Sequence, residues 1–271
     1  MKIQMLIASA LLALASSAAG QGKVMTWTIG SDKREALVFA PTVEPAGEKH
    51  PVVFAFHGHG GHMQNTADQM NFQTVWPEAV VIYPQGLNGR GIHDQDGNAP
   101  GWQHWPGEYD DRDLKFFDRM LETMRQKFAV DNRRIYAAGF SNGAIFSYVL
   151  WAKRAQTLAA IGPVAGCLSN ELPPLGGQPS QPTELTRPLP VMHITGLMDD
   201  TVKLEWQAET ITIDRKVNDA LQQGESCGDC CVLYQSSVQA PVKALFFAGG
   251  HEYPCCASAE FVKFFKAHKQ P

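Results

Sequence analysis

The sequence has few charges and no cluster of basic residues. Charged residues make up 18% of the chain, and the net charge is −4. Nucleic acids and anionic membranes select strongly basic surfaces, so we expect neither of them as a partner. The chain also has no internal repeat and no interdomain linker. Its 271 residues, 44% of them hydrophobic, are enough for one large globular domain.

Long apolar runs are scarce as well. The one long run, at residues 5–15, is too short to span a bilayer. It follows Lys2 and precedes small residues at 17–19, a pattern that predicts a secretory signal peptide over residues 1–19. The alternative is an N-terminal core helix. We therefore expect a mature domain at residues 20–271, located outside the cell or in the periplasm.

Cysteine is absent from the first half of the chain. The six cysteines are Cys167, Cys227, Cys230, Cys231, Cys255 and Cys256. An even number in an exported protein predicts that most of them form disulfides, and six cysteines allow fifteen pairings. Cys227 and Cys230 also have the spacing of a metal or redox pair, but the chain lacks a second such pair. A structural disulfide is therefore the favoured interpretation.

Short apolar runs and longer periodic segments alternate along the chain. An antiparallel pair is predicted at residues 24–29 and 35–39, and buried strands at 51–56, 79–83, 135–140, 158–164, 190–194 and 242–247. Helices are predicted at residues 111–128, from 144 onward, at 204–221 and at 259–267. The segments at 87–110 and 169–188 are predicted to be long loops. This alternation predicts an α/β fold, with a mostly parallel central sheet and helices on both faces.

The central motif lies between a predicted strand and a predicted helix. It reads Gly139-Phe140-Ser141-Asn142-Gly143, which is a G-x-S-x-G pattern. In that context the pattern is typical of a nucleophile elbow, a tight turn that exposes a serine hydroxyl. The serine then lies at a helix N-terminus, where backbone N–H groups stabilise developing negative charge. Ser141 is therefore the candidate nucleophile.

Two later strands also end at candidate catalytic residues. Asp199 follows the strand at 190–194, and His251 follows the strand at 242–247. A histidine can take the serine proton, and an aspartate can hold the histidine in the required tautomer. Asp200 is the alternative to Asp199, which the spacing of the turn favours. His193 lies inside a strand and His104 in a long loop, so both are weaker candidates for the base.

An oxyanion hole requires two backbone N–H donors. Asn142, which follows the nucleophile, is predicted to supply one, and His59, in the loop after the strand at 51–56, the other. The histidines at 57, 59 and 62 also raise the possibility of a metal site, but no acidic residue lies nearby. Close approach of glycine backbone explains this segment better.

Trp102 and Trp105 stand out in the polar segment at 87–110. Aromatic side chains in a long loop near strand ends are candidates for substrate contact. We therefore predict that they line a site for an aromatic acyl group or a polymer chain. The alternative is that they pack beneath their own loop.

Several of these segments together resemble a known family. They are Phe56-His57-Gly58, Tyr83-Pro84-Gln85-Gly86-Leu87-Asn88, Val130 to Tyr136, the elbow, Gly196 to Asp199, and Gly249-Gly250-His251. The chain is similar to secreted α/β-hydrolase esterases, the polyhydroxybutyrate depolymerase-like enzymes and feruloyl esterases. The resemblance implies an α/β-hydrolase fold and a Ser141, Asp199 and His251 triad that needs no metal or cofactor. Thr195 departs from the family, which often has histidine at that position.

The resemblance implies a serine esterase that acts through an acyl-enzyme. The first expected substrate is a hydroxycinnamate ester on plant cell-wall polysaccharide, and the second is a polyhydroxyalkanoate. A serine peptidase is an enzyme alternative, and a catalytically silent binding module is a non-enzyme alternative. The three intact side chains argue against the silent module.

Overall fold

The computed structural model describes residues 20–271, and the signal peptide predicted at residues 1–19 lies outside this part of the chain. The strands are β1 (Lys23–Ile29), β2 (Asp32–Phe39), β3 (His50–Phe56), β4 (Val80–Pro84), β5 (Leu87–Gly91), β6 (Asp94–Gly101), β7 (Val130–Phe140), β8 (Ala160–Val164), β9 (Val191–Gly196), β10 (Glu225–Gly228), β11 (Cys231–Tyr234) and β12 (Val242–Phe247). The helices are α1 (Met63–Met70), α2 (Phe72–Val75), α3 (Arg112–Lys127), α4 (Asn142–Arg154), α5 (Leu204–Val217) and α6 (Ala257–Lys266). Within residues 20–271, no helix is long and apolar enough to cross a membrane.

Ten of the strands form one sheet, in the order β1-β2-β4-β3-β7-β8-β9-β12-β11-β10. The strands from β4 to β12 in this order are parallel to one another. The strands at the two edges are antiparallel. The prediction of a mostly parallel central sheet is therefore confirmed.

Both faces of the sheet are covered, as the apolar strands require. On β3, Val52, Phe54 and Phe56 point into a cluster that includes side chains of α3, α4 and α5. Val53 and Ala55 point to the opposite face, into a cluster with side chains of α1, α2 and α6. The alternation of side chains along a strand thus gives the domain two cores, one on each side of the sheet.

The segment at 87–110 is not the long loop that the sequence predicts. Residues 87–101 form an antiparallel hairpin, β5–β6, in which Leu87 pairs with Gly101 and Gly91 with Asp94. The segment has no apolar alternation that would indicate strands. Its order comes from backbone pairing and from the Asp94 carboxylate, which accepts hydrogen bonds from the N–H groups of residues 97–99.

The disulfide prediction is correct for one pair. Cys227 and Cys231 are bonded across the β10–β11 hairpin, with their Cα atoms 5.1 Å apart. The expectation that most of the six cysteines are bonded is wrong, since Cys167 is buried and the other three are exposed as thiols. Cys167 packs in an apolar cluster, so it acts as a small hydrophobic residue, and burial raises the pKa of its thiol.

Candidate active site

The predicted elbow lies at the carboxyl end of β7, near the middle of the sheet. Ser141 has φ 55° and ψ −120°, a left-handed conformation that side chains rarely adopt, and α4 begins at the next residue. A Cβ on Gly139 would lie 2.2 Å from the Gly143 oxygen, and one on Gly143 would lie 2.4 Å from the Phe56 oxygen. Both positions therefore require glycine, and the turn holds the serine hydroxyl at the start of the helix.

The structure brings the three candidate side chains into one hydrogen-bonded chain. His251 Nε2 is 2.8 Å from Ser141 Oγ, and His251 Nδ1 is 2.9 Å from Asp199 Oδ2 and 3.1 Å from Oδ1. Because a carboxylate can only accept, His251 Nδ1 carries the proton, and its Nε2 is free to accept from the serine hydroxyl. This is the arrangement that a general base needs.

Asp199, and not its neighbour Asp200, faces the histidine. The Asp199 side chain is fully buried, whereas Asp200 is exposed. Asp199 Oδ1 accepts hydrogen bonds from the N–H groups of Thr201 and Val202 at 3.0 and 2.9 Å. Asp199 Oδ2 accepts another from Gln207 Nε2 at 3.1 Å. These donors hold the carboxylate in one orientation in front of His251.

Hydrogen bonds of the His57 and His59 rings hold the loop after β3 in place. His57 Nδ1 donates to the Gly58 oxygen at 2.7 Å, and its Nε2 accepts from the Gly86 N–H at 2.9 Å. Burial lowers the pKa of His57 to about 4, which keeps the ring neutral in these bonds. His59 follows, and its ring bonds to Asp94 on the β5–β6 hairpin at 3.0 Å. Each ring therefore has a structural partner of its own.

His59 and Asn142 both line the cavity at Ser141, so the structure brings these two predicted oxyanion residues to the nucleophile. Their role as N–H donors stays a prediction.

The sequence did not indicate the second role of Asn142. Its side-chain amide exchanges two hydrogen bonds with the backbone of Trp102, at 2.7 and 3.0 Å, and its Nδ2 lies 3.0 Å from His104 Nε2. Asn142 therefore ties the elbow to the segment after the hairpin.

The two tryptophans do not line the cavity at Ser141. Their predicted contact with an aromatic acyl group or a polymer chain stays a prediction. Trp102 is 1% exposed and packs against Phe56 and Phe146, while its Nε1 donates to the His57 oxygen at 2.9 Å. Trp105 is also buried and faces a separate polar cleft. Trp102 packs beneath the segment that carries it because the core gains from burying a large aromatic surface.

The cavity over Ser141 has a volume of about 290 Å³. It is lined by His59, Gly91, Ile92, His93, His104, Ser141, Asn142, Ile145, Thr201 and His251. Ile145 lies one turn beyond the nucleophile on α4, and Ile92 lies at the tip of the β5–β6 hairpin. These two isoleucines give the cavity its apolar wall. The sequence indicated neither as a wall of the site. For Ile92 the reason is that the hairpin that brings it there is predicted as a loop.

Behind Asp199 lies a buried chain of polar side chains. Gln207 Oε1 is 3.2 Å from His193 Nε2, His193 Nδ1 is 2.8 Å from the Tyr148 hydroxyl, and that hydroxyl is 2.9 Å from Asp214 Oδ2. Burial lowers the pKa of His193 to about 4 and raises the pKa of Asp214 well above its usual range. Asp214 Oδ1 is buried without a hydrogen-bond partner, which also favours the neutral acid.

A neutral Asp214 has a measurable consequence for stability. Its carboxyl loses its proton at a higher pH in the folded than in the unfolded chain, so its contribution is complete below the unfolded pKa of about 3.9 and declines as pH rises toward the folded pKa. Asparagine can donate to Tyr148 without this penalty. We expect Asp214→Asn to gain stability over the wild type with rising pH, by up to about 1.4 kcal/mol per unit within that window. Urea unfolding at a series of pH values measures the difference. A stability difference that does not change with pH over this window would contradict a neutral Asp214.

The parallel sheet, with a serine elbow at the end of a central strand, defines a member of the α/β-hydrolase class. The chain belongs to the phospholipase/carboxylesterase family, whose model matches residues 39–226. This membership confirms the resemblance to α/β-hydrolase esterases, and the chain is an esterase-family protein.

Curated relatives carry esterase names. Feruloyl esterase C of Emericella nidulans is 25% identical over 248 residues, covering 86% of this chain and 83% of that protein. A bifunctional acetylxylan esterase/xylanase of Neocallimastix patriciarum is 24% identical over 181 residues, covering 64% of this chain and 22% of that protein. The chain thus spans less than a quarter of the length of that bifunctional relative.

Solved structures share the fold. An acetyl xylan esterase from Aspergillus awamori superposes with a TM-score of 0.71 at 14% identity, covering 90% of this chain and 99% of that chain. A ferulic acid esterase from Anaeromyces mucronatus superposes with a TM-score of 0.57 at 16% identity, covering 91% and 90% of the two chains. At these identities the similarity establishes the fold.

Proposed function

We propose that the protein is a serine carboxylic-ester hydrolase in which Ser141 is the nucleophile, His251 the general base and Asp199 the residue that orients the base. The observation that carries the proposal is the chain of hydrogen bonds from Ser141 Oγ through His251 to the buried Asp199. A strained serine at a helix N-terminus, already in contact with an oriented histidine, is built to attack a carbonyl carbon.

In the first half of the reaction, Ser141 Oγ attacks the ester carbonyl while His251 Nε2 takes its proton. The resulting oxyanion faces the backbone N–H groups assigned to His59 and Asn142. His251 then gives the proton to the departing alcohol oxygen, and the acyl group stays bonded to Ser141. Asp199 stabilises the transient imidazolium, since its carboxylate is buried against Nδ1.

In the second half, water takes the place of the alcohol. His251 Nε2 removes a proton from the water, whose oxygen attacks the acyl-enzyme carbonyl, and the proton then passes to Ser141 Oγ as the acid leaves. The same histidine thus serves both halves of the cycle. No step requires a group beyond the side chains and the backbone already described.

We propose an ester of plant cell-wall polysaccharide as the substrate, with a hydroxycinnamoyl acyl group as the first candidate. The feruloyl esterase relatives support it, and the apolar wall formed by Ile92 and Ile145 suits a planar acyl chain. An acetyl group is the second candidate. The modest volume of the cavity favours an acetyl group, as does the absence of Trp102 and Trp105 from the cavity wall.

Two measurements test the proposal. A fluorophosphonate probe should label Ser141 in the purified protein, and a silent binding module would not react. Hydrolysis of methyl ferulate, acetylated xylan, polyhydroxybutyrate and nitrophenyl acetate should then rank the acyl groups. Preferential cleavage of peptide amides would instead identify a serine peptidase, and preferential cleavage of polyhydroxybutyrate would identify a polyester hydrolase.

Ile92→Ala is expected to separate the two acyl candidates. Ile92 is half-buried at a hairpin tip, so its truncation removes apolar wall without opening the core. We expect kcat/KM for methyl ferulate to fall about fivefold to tenfold, and that for nitrophenyl acetate to change less than about twofold. Val238→Ala, an exposed valine in a segment that does not line this cavity, is the matched control. Equal losses on both esters would argue against a hydroxycinnamoyl pocket.

We also propose that the chain is exported to the cell exterior or the periplasm after removal of residues 1–19. The Cys227–Cys231 disulfide supports this proposal, since such bonds persist in oxidising compartments. N-terminal sequencing of exported protein should begin near Gly20, and an intact Met1 in that fraction would contradict it.

A further inference from the structure

Among residues 20–271, Gln207 is the one buried side-chain amide that bonds directly to Asp199. It lies on the first turn of α5 and is 0% exposed. Its Nε2 donates to Asp199 Oδ2 at 3.1 Å and to the Val202 oxygen at 2.6 Å. Both partners can only accept, so the NH₂ of the amide must face them. The Oε1 atom therefore faces His193.

This orientation determines the direction of every bond behind it. Because Gln207 Oε1 accepts, His193 Nε2 must carry a proton. A neutral His193 then has its lone pair on Nδ1, which accepts from the Tyr148 hydroxyl. That hydroxyl also lies 2.9 Å from Asp214 Oδ2. Since its one proton points at His193, this contact requires the proton of a neutral carboxyl, which burial favours. Each donor in this series of hydrogen bonds points toward Asp199, and every donor meets an acceptor.

The same bonds connect the helix that follows Ser141 to the strand that leads to Asp199. Tyr148 lies on α4, which begins at the residue after Ser141. His193 lies on β9, whose end leads to Asp199, and Gln207 and Asp214 lie on one face of α5. A buried network of this kind fixes the spacing between helix, strand and loop more tightly than apolar packing alone.

We propose that Gln207 is a positioning residue for Asp199, and that His193, Tyr148 and Asp214 hold its amide in the donating orientation. The inference rests on the proposed function, since it assigns Gln207 to the alignment of the proposed triad. Without this donor, Asp199 Oδ2 faces His251 with no restraint on its other side. The N–H groups of Thr201 and Val202 then hold the carboxylate through Oδ1 alone. Oδ2 moves more freely against Nδ1, and the histidine is less well aligned with Ser141.

The test compares two buried amides of α5 and its C-cap. Gln207→Met removes the donor at nearly constant volume. Asn218→Leu removes another buried amide, one whose side chain bonds only to the backbone of Leu189, and is the matched control. For nitrophenyl acetate hydrolysis, we expect Gln207→Met to lower kcat about tenfold with KM within about twofold of the wild type. Asn218→Leu should lower Tm about as much as Gln207→Met does, while its kcat stays within about twofold of the wild type.

Gln207→Glu provides a second variant in case the methionine fails to fold. It keeps the shape of the side chain but replaces the NH₂ by an oxygen that faces two acceptors. We expect a loss of kcat at about pH 8 at least as large as that of Gln207→Met. A role in packing alone predicts that this isosteric change leaves kcat near that of the wild type, and that result would overturn the proposal.

The outcomes also separate this proposal from the proposed function. If the wild type is neither labelled by a fluorophosphonate nor active on esters, the proposed function fails. If the wild type is labelled and active, but each folded Gln207 variant matches the wild type or the Asn218→Leu control in kcat, only the positioning role fails. A selective loss of kcat in the Gln207 variants supports both.

Discussion

Ser141→Ala is expected to lower kcat for ester hydrolysis by about a thousandfold or more, with the fold unchanged. Alanine removes the attacking oxygen but fits the strained turn, because the serine side chain makes its hydrogen bond to His251 and not to the helix. Steady-state kinetics on nitrophenyl acetate measures the loss. Labelling by a fluorophosphonate should disappear together with the activity.

Ser147→Ala is the matched control for this substitution. Ser147 lies on the same helix, is fully buried, and bonds to the Gly143 oxygen at 3.0 Å. We expect its replacement to leave kcat within about threefold of the wild type. A Ser141→Ala protein that is still labelled and active would mean that another residue is the nucleophile.

Asp199→Asn is expected to lower kcat by about 10⁴-fold. The N–H groups of Thr201 and Val202 point at Oδ1, so an amide would keep its oxygen there and place its NH₂ at the Oδ2 position. The NH₂ would then face His251 Nδ1 and favour the tautomer with the proton on Nε2, and it would lose the hydrogen bond from Gln207 Nε2. That tautomer cannot accept the proton of Ser141.

Asp200→Asn provides the comparison for the second prediction. Asp200 is exposed beside Asp199, and its replacement is expected to change kcat by less than about twofold. Pre-steady-state measurement of acylation should show the loss in Asp199→Asn at the attack of Ser141 on the ester, the step in which His251 takes the serine proton. A larger loss in Asp200→Asn would show that the wrong carboxylate has been assigned.

The central strands and the elbow could be predicted because their signals are local. The glycine spacing around Ser141 reflects close contacts that no other residue type permits. The apolar run before Gly139 reflects burial of the strand between the two faces of the sheet. Asp199 and His251 were found from their positions after apolar strands, since parallel strands end at one edge of the sheet. The distances between the three side chains agree with that reasoning.

The walls of the site were harder to predict because they depend on distant contacts. The β5–β6 hairpin consists mostly of polar residues and glycines, so its strands lack the alternation that marks a half-buried strand. The sequence therefore predicts a long loop around Trp102, whereas the structure buries this side chain against Phe56 and Phe146. The only sequence signal for its burial was the large apolar area of its side chain.

Gln207 could not be identified from the sequence for a different reason. It lies on a helix of mixed polarity, and only the fold brings it to the carboxylate of Asp199. His193 gave a partial signal, because a histidine inside an apolar strand must bond to something buried. The sequence does not show what that partner is.

The complete burial of α4 from Asn142 to Trp151 has a consequence for the motions of the molecule. We expect amide protons in this helix to exchange with solvent only when the core opens, and those of the partly exposed β5–β6 hairpin to exchange through local openings of lower free energy. We therefore expect the reactive serine to border a slowly exchanging part of the domain, and Ile92 to lie in a faster-exchanging part. The acyl wall can thus vary in sequence, and adapt to different esters, at little cost to the unit that positions the nucleophile.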